Sequence, residues 1–279
     1  MSLSGSGRPR LMGILNVTPD SFSDAGRHFE PDAAIAQGLR MAAEGADIID
    51  IGGESTRPGA ARVGAADQLQ RVMPVLRELR RQLPAGCRLS IDTTLAAVAE
   101  AALAEGASIL NDVSAGRDDP VLFDVVRNSG ADLVLMHMRG TPLSMQTAPH
   151  YEDVVREVRE FLLGRAAAAE AAGIPRDRIA IDPGIGFGKT KLHNLQLLAG
   201  LQTLVKTGYP VLLGASRKRF MGSICNVDEF HELVGATCAT TALGVMAGVR
   251  LFRVHDVRDN RQALDVAWAL RVQMSGALP

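Results

Sequence analysis

Eight short runs rich in Ile, Leu or Val punctuate the chain, at 11–15, 47–51, 88–91, 108–110, 133–136, 179–181, 211–213 and 251–254. Runs of this length without strict polar alternation are the pattern of strands buried on both faces of a parallel sheet. After each run comes a longer segment dominated by Ala, Leu, Glu and Arg. The spans 32–44, 67–82, 95–105, 120–128, 152–172, 192–201, 231–247 and 258–274 predict eight helices. Gly45, Gly106, Gly130, Gly173 and Gly248 stand just past five of these, where a left-handed residue closes a helix. Strand–helix alternation implies parallel pairing through right-handed crossovers. Eight repeats are enough to close a single (β/α)8 TIM barrel, and the 279-residue length suits one such domain. A doubly wound open sheet is the competing α/β fold.

No linker, low-complexity block or compositional break divides 11–279, so one barrel domain is expected there, preceded by a flexible segment at 1–10. That segment is polar and Gly/Ser-rich and lacks the apolar stretch of a signal peptide. The longest weakly polar stretch, 233–249, is slightly short for a membrane span and reads as a buried helix. A net charge of −1 gives no chain-wide basic field for nucleic acid. Cys87, Cys225 and Cys238 are odd in number and form no C-x-x-C pair, which points to free thiols in a reducing cytoplasm. A cytoplasmic enzyme without nucleic-acid or membrane partners is expected.

The residues that follow each run carry the chemistry. Asn16 follows the first, Gly52-Gly53-Glu54 and Arg57 the second, and Asp92 the third. Asn111-Asp112, His137 and Asp182 follow the fourth, fifth and sixth; Ser216 and Lys218 lie beyond the seventh. Arg253 lies in the eighth run and His255 just after it. Polar groups therefore gather at the C-terminal strand ends, where barrel enzymes build their sites. One such residue could simply cap the next helix; eight in register are hard to explain that way. Asp112 fits either a loop-holding or a site role. His137 has no metal-like companion and suits orientation or packing, and Glu54 suits holding its loop. Gly188-Lys189-Thr190 resembles the end of a phosphate-binding P-loop, but Pro183 stands where that motif needs its first glycine, so the nucleotide reading fails on spacing.

Two sets emerge. Asp92, Asn111, Asp182 and Lys218 would converge from strands three, four, six and seven and suit a heterocycle with an edge of N–H donors. Asn16, Arg57, Ser216, Arg253 and His255 supply the donors and cations that an anionic phosphate group requires.

The segments GILNVTPDSFSD (13–24), DIGGESTRPG (50–59), SIDT (90–93), NDVS (111–114), HMRGTP (137–142), DPGIGFGKT (182–190), GASRKRF (214–220) and RVHD (253–256) resemble, in order, those of the dihydropteroate synthase family. The first, sixth and seventh are highly specific. The resemblance implies condensation of 6-hydroxymethyl-7,8-dihydropterin diphosphate with p-aminobenzoate, giving 7,8-dihydropteroate and diphosphate in folate biosynthesis, through an SN1-like loss of diphosphate. It places Asp92, Asn111, Met136, Asp182 and Lys218 around the pterin. It places Asn16, Arg57, Ser216, Arg253 and His255 at the diphosphate, with Mg2+ near Asn16, and Phe22, Thr56, Pro58, Phe187, Ser216 and Lys218 around p-aminobenzoate. Asp24 and Arg57 fall on the first two loops and join Asp92, Asp182 and Lys218 as catalytic candidates. The family further implies a sulfonamide target and a homodimer joined by its late helices. Departures are modest: Asp24-Ala25-Gly26 where Gly-Gly is commoner, Thr94-Leu95 after SIDT, and Arg219 where Ser is frequent. The rival readings are a pterin-binding methyltransferase-type barrel, a catalytically silent paralogue and a non-enzymatic binding module.

Overall fold

The computed structural model describes residues 3, 7–18, 31–55 and 59–276. Eight parallel strands form one sheet: β1 (Arg10–Asn16), β2 (Ile48–Gly52), β3 (Arg88–Asp92), β4 (Ile109–Asp112), β5 (Asp132–Met136), β6 (Ile179–Asp182), β7 (Leu212–Leu213) and β8 (Leu251–Val254). Their order is 6-5-4-3-2-1-8-7. β6 and β7 meet through a single parallel bridge, Ile181 to Val211, and the Ile181 amide donates to the Pro210 carbonyl at 2.9 Å. The sheet is thus a nearly closed barrel, the (β/α)8 architecture expected.

Around it lie α1 (Pro31–Ala43), α2 (Ala65–Gln82), α3 (Ala96–Ala104), α4 (Leu122–Ser129), α5 (Val154–Ala171), α6 (Lys191–Ala199), α7 (Leu201–Val205), α8 (Arg219–Cys225), α9 (Val234–Ala247) and α10 (Val257–Met274). The five glycines read as helix stops all take positive φ, from 70° at Gly130 to 114° at Gly106. The expected helix over 192–201 is instead two, α6 and α7, because Gly200 both caps the first and opens the second. A side chain at Gly200 would meet Val155 at 2.9 Å, so the chain turns where α5 comes closest. α8 is an addition to the expected set. It ends at Asn226, left-handed at φ 55°. No helix among the described residues is long and apolar enough to cross a membrane.

Side chains alternate along every strand, so every second residue points into the barrel. Met12, Ile48, Ile109, Val134, Ala180, Leu212 and Leu251 form one buried apolar layer near the N-terminal end, with Leu3 packed into it. Residues of the opposite parity, such as Leu11, Ile49, Leu110 and Phe252, pack outward against the helices in a larger cluster. Two residues beyond the apolar layer, the inward side chains become polar: Asp50, Asn111, Asp182 and Arg253. The apolar floor therefore ends where the site begins.

Candidate active site

Strand register sets the first row. Asn16 pairs with Gly52, Gly52 with Asp92, and Asp92 with Asn111, while Met136 pairs with Asp182. Gly52 keeps this row open: a Cβ there would lie 3.5 Å from the Cβ of Asp92 and 3.9 Å from Oδ1 of Asn16.

Below the row sits Asp50, fully buried on β2. Its Oδ2 accepts from Arg253 Nε at 2.6 Å and from Asn111 Nδ2 at 3.0 Å. Arg253 Nη2 reaches Asp92 Oδ2 at 2.6 Å. One guanidinium thus spans two carboxylates across the barrel axis. Burial works against the Arg253 cation, but Asp50 and Asp92 outweigh it and hold its pKa above the ordinary arginine value. Burial likewise pushes the Asp92 carboxyl up, with Arg253 pulling it back and Asp50 adding to the rise. A direct ion pair to a permanently charged guanidinium keeps Asp92 ionised in this arrangement.

Asp182 ends β6. Its Oδ1 accepts the Gly184 amide at 2.7 Å. Burial raises its pKa to about 6, opposed by the Gly184 hydrogen bond and by Lys218 and Arg253. Lys218, beyond β7, is brought down to about 8, first by burial and then by Arg253, with Asp182 favouring its charge. Its ammonium lies 4.1 Å above the Phe187 ring, a cation–π contact. Ser216 joins the ends of β7 and β8: its Oγ lies 3.0 Å from His255 Nδ1 and accepts the His255 amide at 3.1 Å. Neighbouring Arg217 is instead taken up by Asp256, at 2.9 and 2.5 Å.

Val113, Met136, Met138, Met145 and Phe187 form a small apolar cluster, separate from the main core, beside these polar groups. An adjoining cleft is lined by Glu54, Arg62, Asp92, Thr93, Val113 and Met138 among others. Glu54 accepts from Gln68 of α2 at 2.8 Å, and Gln68 in turn accepts from Thr93 at 2.9 Å, so Glu54 holds its loop. Asp112 accepts the Ser114 amide and hydroxyl at 2.8 and 2.7 Å and the Gly116 amide, a loop-holding role. His137 packs edge-on against Phe161 and is brought down to about 2, first by burial and then by Lys189, so it stays neutral.

Asn16, Asp92, Asn111, Met136, Asp182, Phe187, Ser216, Lys218, Arg253 and His255 therefore meet at the C-terminal mouth. Phe22, Asp24, Thr56, Arg57 and Pro58 lie outside the described residues. Three participants were not singled out from the sequence. Asp50 sits inside an apolar run, although its parity with Ile48 and Gly52 marks it as inward-facing. Lys189 drew notice only as a failed P-loop. Arg62 of the second loop binds Asp118 and donates to Thr94 Oγ1 at 3.0 Å, a tie between loops that no local motif announces.

One barrel mouth thus brings two buried carboxylates, a buried amide and a lysine together with Arg253 and His255, a set that can pair with the N–H edge of a polar heterocycle and with an anionic group. The pterin-binding enzyme model matches residues 12–255, and the chain belongs to that family. The dihydropteroate synthase of Mycobacterium leprae is 48% identical over 266 residues, covering 93% of each chain. A Xanthomonas albilineans dihydropteroate synthase structure with 4-aminobenzoic acid superposes with a TM-score of 0.88 at 48% identity, over 98% of this chain and 94% of that one. The same organism's enzyme in complex with 7,8-dihydropteroate gives 0.86 at 45% identity, over 100% and 97%.

Proposed function

We propose that this chain carries out the dihydropteroate synthase reaction. It joins the methylene carbon of a dihydropterin diphosphate to the amine of p-aminobenzoate. The C–O bond to diphosphate breaks, a C–N bond forms, and the amine gives up one proton. The observation that carries this reading is the meeting of Asp92, Asp182, Lys218 and Arg253 at one barrel mouth, in a chain 48% identical to a dihydropteroate synthase.

Asp92, Asn111 and Asp182 offer acceptors and an amide to the pterin edge, with Met136 against its face and Lys218 beside it. Asn16, Arg57, Ser216, Arg253 and His255 receive the diphosphate. Arg253, tied to Asp50 and Asp92, links the two halves. Phe187, Ser216 and Lys218 frame p-aminobenzoate; the family resemblance adds Phe22, Thr56 and Pro58 to this site and Asp24 and Arg57 to the catalytic set. An aromatic amine is a weak nucleophile, so the carbon must become strongly electrophilic. Electron release from the dihydropterin ring stabilises a methylene cation, and Asp182 and Asp92 offset the charge that spreads over the ring. Loss of diphosphate first, SN1-like, follows. Exclusion of water from the site keeps the cation from being trapped by it.

Mg2+ suits this donor set. Asn16 Oδ1 stands 3.9 Å from where a Gly52 Cβ would lie, an oxygen donor on the open row of the site. One or two protein oxygens completed by phosphate oxygens and water are what this ion takes. When bound, it would neutralise charge on the diphosphate. Leu243 on α9 and Val266, Leu270 and Met274 on α10 are all more than half exposed, an apolar face that favours a homodimer through these late helices. The free thiols Cys87, Cys225 and Cys238 fit a cytoplasmic setting.

The test is diphosphate release from the pterin diphosphate, with and without p-aminobenzoate. Fast release with the amine, matched by dihydropteroate, together with slow release in its absence, is expected. Release that depends strictly on the amine would replace the stepwise route by direct displacement, and no release in either case would reject the activity.

A further inference from the structure

The loop between β6 and α6 has no regular structure, yet every turn of it is pinned. Gly184, Gly186 and Gly188 take φ of 65°, 84° and 64°. At Gly184 a side chain cannot fit, since its Cβ would lie 1.9 Å from the His137 carbonyl oxygen. The carbonyls this path turns inward must find donors. Gln146 supplies Gly186 at 2.8 Å and Tyr151 supplies Gly188 at 2.9 Å. Lys189 supplies the rest. Its side chain is 3% exposed. Its ammonium donates to the carbonyls of Gly184 and Phe187, both at 2.9 Å, and lies 3.0 Å from Nδ1 and 3.4 Å from the carbonyl oxygen of His137. Three donors thus face four acceptors, two inside the loop and two on His137, in the chain after β5. Against a charged Lys189 the His137 Nδ1 can only accept, which places the proton of a neutral ring on Nε2.

The anchored atoms are neighbours of functional ones. The Gly184 amide holds Asp182 Oδ1, and Phe187 carries the ring beneath Lys218. We propose that Lys189 is a positioning residue: its buried ammonium sets the shape of the 183–190 loop and, through Phe187 and Gly184, the geometry that Asp182 and Lys218 present to the substrates. Lys189 itself touches neither substrate. The claim rests on the site reading given under Proposed function. The Gly-Lys-Thr end that fails as a P-loop thereby gains a role unrelated to phosphate.

The experiment compares Lys189→Met, Phe187→Ala and the double variant with wild type, well below each melting temperature. KM for p-aminobenzoate and for the pterin diphosphate, kcat, and hydrogen exchange across 183–190 are recorded. Lys189→Met should lose amide protection in the loop and raise KM for p-aminobenzoate about tenfold or more, the scale of a lost charged hydrogen bond. Because one residue acts through the other, the double variant should be no worse than the more impaired single one. A lower melting temperature with both KM values unchanged would reduce Lys189 to a structural residue and overturn the proposal. Effects that multiply in the double variant would overturn the route through Phe187. If Lys189→Met does not fold, Lys189→Gln, which keeps two donors on a shorter stem, replaces it; a folded Gln variant that loses loop protection with unchanged KM overturns the proposal, and one that keeps both upholds the donors as the anchor. Should wild type form no product, the functional reading falls, while exchange still decides the loop: protection retained in the variant sinks the anchor, and protection lost upholds it.

Discussion

Arg253→Ala should lower kcat/KM between roughly 30-fold and a few thousand-fold, corresponding to about 2–5 kcal/mol for one partner of a desolvated charge pair. Two losses combine. The guanidinium no longer meets the charge that grows on the leaving group, and Asp50 and Asp92, at 0% and 8% exposure, lose their common counter-ion. Removing one partner of a buried ion pair typically costs about 3–5 kcal/mol of stability, so the variant should also melt earlier. The pH dependence has a definite sign. Burial alone raises the Asp92 pKa above its unfolded value, so the variant prefers the neutral acid when folded. Its stability should be greatest below the unfolded carboxylate pKa, about 4, and fall as the pH rises through the folded value. Wild type, with Arg253 in place, should show less of this fall. Calorimetric melting of both proteins across that range checks the sign, and near-normal turnover by the variant would remove Arg253 from the site.

Asp182→Asn should weaken pterin diphosphate binding by about 30-fold or more, for the same reason of a lost buried charge partner. The carboxylate is an acceptor only, whereas the amide brings a donor to face the N–H edge of the heterocycle and removes the charge that offsets Lys218 and Arg253. The Gly184 amide can still bond the remaining oxygen, so the fold should survive the change. Isothermal calorimetry with the substrate alone measures the effect directly. Unchanged affinity would mean that the ring lies elsewhere.

Much of the site was legible because barrel geometry turns spacing into position. In a short strand buried on both faces, the inward residue at its C-terminal end is the first that can be polar without leaving a charge among aliphatic side chains. Asp92, Asn111 and Asp182 stand there, and the rule finds them. Asp50 breaks it: an aspartate two residues short of its strand's end, inside the run DIIDI, tolerable only because Arg253 arrives from a strand 203 residues away. No local pattern contains that partner. The extent of β7 is obscure for a related reason. Leu212 and Leu213 pair with β8, but Val211 alone meets β6, so partner strands rather than composition set its ends. Lys189 shows a third kind of blindness. A lysine in a Gly-rich loop reads as a ligand for phosphate; that it serves acceptors of its own protein instead depends on how the loop folds back on His137.

The most direct measurement is a crystal structure of the protein soaked with the pterin diphosphate. The account predicts the ring bounded by Asp92, Asn111, Asp182 and Lys218, its diphosphate turned toward Asn16, Ser216 and His255, and Arg253 lying between the two ends. A ring bound away from the barrel mouth, or a diphosphate pointing from Asn16 toward the Glu54–Arg62 cleft, would contradict it.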